Sequence, residues 1–172
     1  MKKAEKIALL LGVLVIILLA VAIVWNADVI GVSENKLVED ARESQGIEAD
    51  WEVAQAVNED MCAMLFYDEA KHDCTYSIYL SRDKGVSGGY FFSQGGKDAY
   101  MTEDVKAMIF EGRGIAVMSL NANGVCKIVT SNRTIQVDPE KPFAVLFPID
   151  CGAITLYDEG ENIVTLYDTY TG

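Results

Sequence analysis

The chain has 172 residues, 51% of them hydrophobic, and a formal net charge of −12 at pH 7. A field of this sign repels nucleic acid and anionic lipid headgroups, which excludes functions that depend on a basic patch. It favours basic partners or divalent cations, although negative charge also keeps a protein soluble.

An uncharged apolar run extends from Ile7 to Trp25. As a helix it covers roughly 28 Å, close to the thickness of a bilayer's hydrocarbon core. Lys2, Lys3 and Lys6 precede it, and an excess of lysine marks the cytoplasmic side. The sequence therefore predicts a single-pass signal-anchor in the cell membrane, with residues 1–6 as a cytoplasmic tail and the C-terminal part extracytoplasmic.

A cleaved signal peptide is the alternative interpretation of this run. Ala20-Val21-Ala22 has the small-x-small pattern of a cleavage site. The apolar part of a signal peptide usually has about 7–15 residues, and this run is longer, which favours a retained anchor. Whether the anchor is cleaved stays open at this point.

Residues 26–50 form a predicted juxtamembrane linker that contains one short helix. Ser33 is placed to cap the helix N-terminus, Glu34–Gln45 form it, and Gly46 ends it. Leu37, Val38 and Ala41 make its apolar face.

Residues 51–172 form a predicted extracytoplasmic β-rich domain. Apolar and polar residues alternate through short segments separated by turn residues, which indicates strands. One predicted face holds Cys74, Tyr76, Ile78 and Leu80, and the opposite, outward face holds Thr75, Ser77 and Ser81. The spacing of the turns predicts an antiparallel β-sandwich or a partly open barrel.

The predicted closing hairpin contains a short repeat. The sequence Thr-Leu-Tyr-Asp occurs at residues 155–158 and again at 165–168. A single recurrence is typical of two matched strands rather than of a repeat protein. We therefore predict that Ile154–Tyr157 pairs with Ile163–Tyr167.

All four cysteines, Cys62, Cys74, Cys126 and Cys151, lie in the predicted exported part. An even number in an oxidising compartment predicts at least one disulfide, although three connectivities are possible. Strand alternation places three of them on inward-facing positions, which also fits buried thiols.

The most distinctive element of the domain is an aromatic stretch, Tyr90, Phe91 and Phe92, between two glycine pairs. It is a candidate binding surface, because aromatic rings and a strand edge both bind peptides. The alternative is structural: alternate residues enter the core, and the glycines permit bulges or close packing.

Catalytic and metal-binding patterns are weak. His72, the single histidine, lies in a predicted turn, and the acidic turns Asp68–Asp73 and Asp158–Asn162 match no EF-hand loop. We assign no catalytic residue, no metal ligand and no cofactor. The sequence predicts a membrane-anchored extracytoplasmic binding or structural module, with a possible protein partner and without nucleic acid. The alternatives are a small cell-envelope hydrolase and a cation-dependent ligand-binding domain.

Overall fold

A computed structural model describes residues 11–21, 31–82 and 89–171. Residues 11–21, the middle of the predicted anchor, form a helix (α1) with exposed side chains, and the two ends of the anchor lie outside the described residues. Within the described ranges, no helix has both the length and the hydropathy needed to cross a bilayer. The anchor therefore stays a prediction.

The helix predicted for Glu34–Gln45 is confirmed. A 3-10 turn, Glu34–Lys36, leads into α2, Leu37–Gln45, and Gly46 ends the helix with a left-handed φ of 65°. Ser33 occupies the N-cap position, but the predicted side-chain cap is wrong, because the Ser33 hydroxyl donates to the Asn35 side chain and accepts no hydrogen bond from a free backbone N–H.

The rest of the described chain is mainly β. A short helix, α3 (Tyr100–Glu103), interrupts the strands. The strands are β1 Glu52–Val57, β2 Met61–Tyr67, β3 Cys74–Ser81, β4 Tyr90–Gly96, β5 Val105–Phe110, β6 Gly114–Ser119, β7 Val125–Val129, β8 Thr134–Gln136, β9 Phe143–Phe147, β10 Thr155–Asp158, β11 Ile163–Val164 and β12 Leu166–Thr171.

These strands form three four-stranded sheets. Sheet A has the order β1-β2-β3-β4, sheet B the order β12-β5-β6-β9, and sheet C the order β11-β10-β7-β8. Three buried clusters join the layers: α2 packs on one face of sheet A, sheet B covers the other face, and sheet C packs on the far side of sheet B. The arrangement is a stack of sheets and not a closed barrel.

The sequence predicted strands with one buried face and one outward face. Stacking of the sheets instead buries the central strands on both faces. Every residue of β2 and of β6 is buried. In β3 the predicted outward face is wrong for Thr75 and Ser77, which are buried. The physical reason is α2, whose Gln45 side-chain amide donates to the Ser77 hydroxyl across that face.

The predicted closing hairpin is correct only at its start. β10 pairs with β11 through Leu156–Val164 and Tyr157–Ile163. The chain then leaves sheet C, and β12 pairs parallel to β5 at the edge of sheet B. An all-antiparallel domain is therefore a wrong prediction, and the two Thr-Leu-Tyr-Asp segments belong to different sheets.

Candidate functional site

The aromatic stretch forms the edge strand of sheet A, and it does not make one continuous platform. In the β3–β4 ladder, Phe92 lies opposite Tyr79 and Phe91 lies opposite Leu80. Successive side chains on a strand point to opposite faces, so Phe91 and Phe92 are on different sides of the sheet. Tyr90 shares the α2 side with Phe92.

Each of the three aromatic rings already has a partner within the chain. The Tyr90 hydroxyl donates to the Asn58 carbonyl oxygen at 2.7 Å. The Phe92 ring packs edge-on to Tyr79 with a centroid distance of 5.6 Å. The Arg82 guanidinium lies 4.2 Å from the centroid of the Phe91 ring. Phe92 remains 48% exposed, but it presents a single ring.

The chain before α2 covers part of the outer edge of this strand. Val32 and Tyr90 exchange two backbone hydrogen bonds, with N–O distances of 2.7 and 2.9 Å. Their neighbours Gly31 and Gly89 approach so closely that a Cβ on Gly89 would lie 2.7 Å from the Gly31 carbonyl carbon. The geometry therefore favours the structural interpretation of Gly89 and of the aromatic stretch.

His72 lies in an exposed turn that is stabilised by hydrogen bonds to the Asp68 side chain. The Asp68 carboxylate accepts hydrogen bonds from the backbone N–H groups of His72, at 2.8 Å, and Asp73, at 2.9 Å. The bond from Asp73 is the main reason that the pKa of Asp68 is lowered, with a smaller contribution from His72. In the described part of the chain, no hydrogen bond joins the imidazole to a cysteine or a serine.

In the second acidic turn, Asp158–Asn162, carboxylates also bind groups within the chain. Asp158 accepts hydrogen bonds from the Asn162 side chain and backbone, and these lower its pKa. Glu161 forms an ion pair with Lys127 at 2.9 Å. Across residues 11–21, 31–82 and 89–171, no three His, Cys, Asp or Glu side chains are grouped to hold a metal ion.

The four cysteines are free thiols, so the predicted disulfide does not form in this structure. Cys62 lies opposite Tyr79 and Cys74 opposite Tyr67, at the two ends of the β2–β3 ladder, about 17 Å apart at 3.4 Å per residue. They also lie on opposite faces of sheet A. A disulfide requires Cα atoms within about 7 Å.

Cys126 and Cys151 are also unbonded. Cys151 is buried in the cluster between sheets B and C, whereas Cys126 lies outside that cluster and is only half-buried. The inward position predicted for Cys62, Cys74 and Cys151 is confirmed, since all three are buried. Burial raises the pKa of Cys62 and of Cys74 to about 11, which leaves both thiols protonated and unreactive at neutral pH.

A groove of about 710 Å³ lies where three edge strands meet. Residues of β1, β8 and β9 line it, and these are the terminal strands of sheets A, C and B. Its apolar wall includes Val57, Ile135, Val145 and Ile149. Its volume lies in the range of ligand-binding clefts, about 300–1,000 Å³.

Two arginines from separate turns line this groove. Arg113 comes from the β5–β6 turn and Arg133 from the β7–β8 turn. The Arg133 guanidinium lies 5.3 Å from the centroid of the Phe147 ring, and its Nη2 donates to the Leu146 carbonyl oxygen at 3.5 Å. Among the described residues, no carboxylate oxygen lies within 4.0 Å of either guanidinium.

Two acidic side chains, Asp60 and Asp150, line the same groove without pairing to the arginines. The groove therefore presents hydrophobic surface, two arginines that have no carboxylate partner among the described residues, and two aspartates. It is the candidate functional site of the domain.

Sequence patterns did not identify this groove. Its lining residues come from four separate segments between Ala56 and Asp150, and no spacing or motif connects them. The signal that matters is the position of β1, β8 and β9 at sheet edges, which depends on the strand order.

Comparison of the chain with protein-family models, with curated proteins and with solved structures gave no significant match.

Proposed function

We propose that the chain is a membrane-anchored extracytoplasmic binding module whose ligand site is the groove between β1, β8 and β9. The anchor part of the proposal rests on the apolar run Ile7–Trp25 and on the lysines before it. The binding part rests on the groove, where hydrophobic surface and two guanidinium groups without a carboxylate partner among the described residues lie at three sheet edges.

The groove is a better candidate than the aromatic stretch because neither of its arginines has a carboxylate partner among the described residues. The aromatic rings are used in internal packing, and the edge beside Tyr90 is bridged by Val32. Hydrophobic surface with a rim of polar groups is a feature of binding surfaces, and it needs a solvent-exposed apolar side chain. Ile149, 48% exposed, provides that side chain in the groove.

Affinity purification of the full chain from detergent-solubilised membranes tests the binding part. We expect a partner to be retained by the native chain and lost with Ile149→Asp, because a charge in the apolar wall must be desolvated when a ligand binds. Ile163→Asp is the matched control, since Ile163 is 72% exposed on β11 and outside the groove. Equal retention by both variants would contradict the proposal.

Protease treatment of intact cells or spheroplasts tests the anchor part. The proposal predicts digestion of the C-terminal domain from outside, with residues 1–6 protected. Protection of the domain would reverse the orientation. Release of a domain that begins at Ile23 would instead establish cleavage after Ala22.

A further inference from the structure

The three strands around the groove each have an unpaired edge. Within the described residues, β1 pairs only with β2, β8 only with β7, and β9 only with β6. The outer edge of such a strand presents backbone N–H and C=O groups, which are a template for another strand. An extended peptide satisfies these groups by strand addition.

Four charged side chains line the groove, Asp60, Arg113, Arg133 and Asp150, and the two arginines select among extended peptides. The chain has 26 acidic and 14 basic residues, yet Arg113 and Arg133 have no carboxylate partner among the described residues. A guanidinium group binds a carboxylate through two parallel hydrogen bonds, which gives both orientation and affinity. Packing against Phe147 and the bond to Leu146 hold Arg133 beside β9.

We infer that the groove binds an extended polypeptide segment of a partner protein, in which a carboxylate side chain lies between apolar residues. The carboxylate pairs with Arg113 and Arg133, and the apolar side chains contact the wall formed by Val57, Val145 and Ile149. The inference rests on the proposed function, because it names the ligand of the same groove.

A second copy of this chain is a less favourable occupant. Two chains that each carry a net charge of −12 repel each other. A small free anion would use the arginines but leave the hydrophobic wall and the strand edges uncovered. Both remain distinguishable outcomes of the experiment.

Selection from a phage-displayed library of random ten-residue peptides tests the inference. The target is the full chain in nanodiscs, and the counter-target is the double variant Arg113→Ala, Arg133→Ala. We expect enriched peptides to contain one Asp or Glu flanked by β-branched or aromatic residues. A synthetic copy of such a peptide should bind the native chain at least ten times more tightly than the double variant.

Two matched changes distinguish recognition of the carboxylate from nonspecific binding. Replacement of the peptide's Asp or Glu by Asn or Gln should weaken binding to the native chain by a similar factor, and should have little effect on binding to the double variant. Lys127→Ala is the control for loss of a basic side chain outside the groove, because Lys127 pairs with Glu161 on sheet C.

The inference is overturned if the enriched peptides are basic, if none is enriched, or if they bind the double variant equally well. Phosphate or acetate that binds the native chain at millimolar concentration but not the double variant, with no peptide enriched, would assign the arginines to a small anion. Concentration-dependent dimerisation abolished by Ile149→Asp would assign the groove to a second copy. Partner retention that is lost with Ile149→Asp but kept in the arginine double variant would leave the proposed function standing and reject the carboxylate ligand.

Discussion

Sheet A has two edges that differ in how they are completed. At the β4 edge, Val32 bridges to Tyr90, and the aromatic rings pack on Tyr79, Arg82 and the core. At the β1 edge, no strand continues the sheet within the described residues, and the chain opens into the groove with Arg113 and Arg133. The conspicuous aromatic sequence therefore belongs to the completed edge, and the candidate site belongs to the edge without a conspicuous motif.

The largest expected effect on stability comes from a comparison of two aromatic rings of sheet A, one in the core and one at the β4 edge. Phe66 is fully buried on β2 under α2, so Phe66→Ala should lower the free energy of unfolding by about 3–5 kcal/mol. Phe92 is half-exposed on β4 and has one edge-on ring contact, so Phe92→Ala should cost about 0.5–1.5 kcal/mol. Urea unfolding of the two variants gives the comparison. Equal losses would mean that β4 is part of the core and not its margin.

A comparison of two glycines, one near the β4 edge and one beside the groove, tests the same difference between the edges. Gly89 has a φ of 148° and faces the Gly31 backbone, whereas Gly112, in the turn beside Arg113, has a φ of 69° and no atom within 4 Å of an added Cβ. Gly112→Ala should cost about 1–2 kcal/mol from its left-handed conformation alone. Gly89→Ala should cost more, because the Val32–Tyr90 bridge must also separate.

Hydrogen exchange provides the local measurement for this pair. We expect faster exchange of the Tyr90 amide in Gly89→Ala and unchanged exchange in Gly112→Ala. If Gly89→Ala leaves both stability and the Tyr90 amide unchanged, the β4 edge is not completed in the way described.

The thiols of sheet A give a pH dependence of intermediate size. Burial raises the pKa of Cys62 and of Cys74 from 9.0 to about 11. The folded state therefore holds these protons more tightly than the unfolded state, and the stabilisation is fully present below pH 9 and lost as the pH rises from 9 to 11. Unfolding free energies measured across this window should fall less steeply in Cys62→Ala, Cys74→Ala than in the native chain.

A thiol count on the same protein tests the free cysteines directly. Denatured, unreduced protein should react at four thiols, since all four cysteines are free in the structure. A count of two or zero would show that disulfides form.

The smallest effect on the free energy of unfolding is expected beside the groove at the β1 edge. Arg113 has no ion pair or side-chain hydrogen bond among the described residues, so Arg113→Ala should change the free energy of unfolding by less than about 0.5 kcal/mol. Arg42→Ala is the control, because Arg42 donates to the Trp51 carbonyl at 2.5 Å and lies 5.1 Å from the Phe66 ring centroid. A charged hydrogen bond contributes about 1.5–3 kcal/mol, so the Arg42 variant should be clearly less stable.

Local patterns predicted the elements of this fold better than their assembly. The apolar positions Leu37 and Ala41 and the terminator Gly46 were sufficient to identify α2, because capping and periodicity are local properties. Alternation also identified most strands. It did not predict that α2 would bury Ser77, or that β12 would pair parallel to β5, because both depend on contacts between distant segments.

The same limit explains why the candidate site was missed. Phe91 and Phe92 are adjacent in sequence, which suggested a joint surface, but adjacent strand residues point to opposite faces. Arg113 and Arg133 are separated in the chain by two strands, and only the stacking of the sheets brings them to one groove. The residue patterns of β1, β8 and β9 did not indicate that these strands lie at the edges of their sheets.

Site-specific photo-crosslinking in native membranes compares the two edges most directly. A photoreactive residue is introduced in place of Ile149 in one chain and in place of Phe92 in another, since the two side chains are equally exposed at 48%. We predict a discrete crosslinked partner from position 149, reduced when Arg113 and Arg133 are replaced by alanine, and none from position 92. A crosslink from position 92 with none from position 149 would contradict the account.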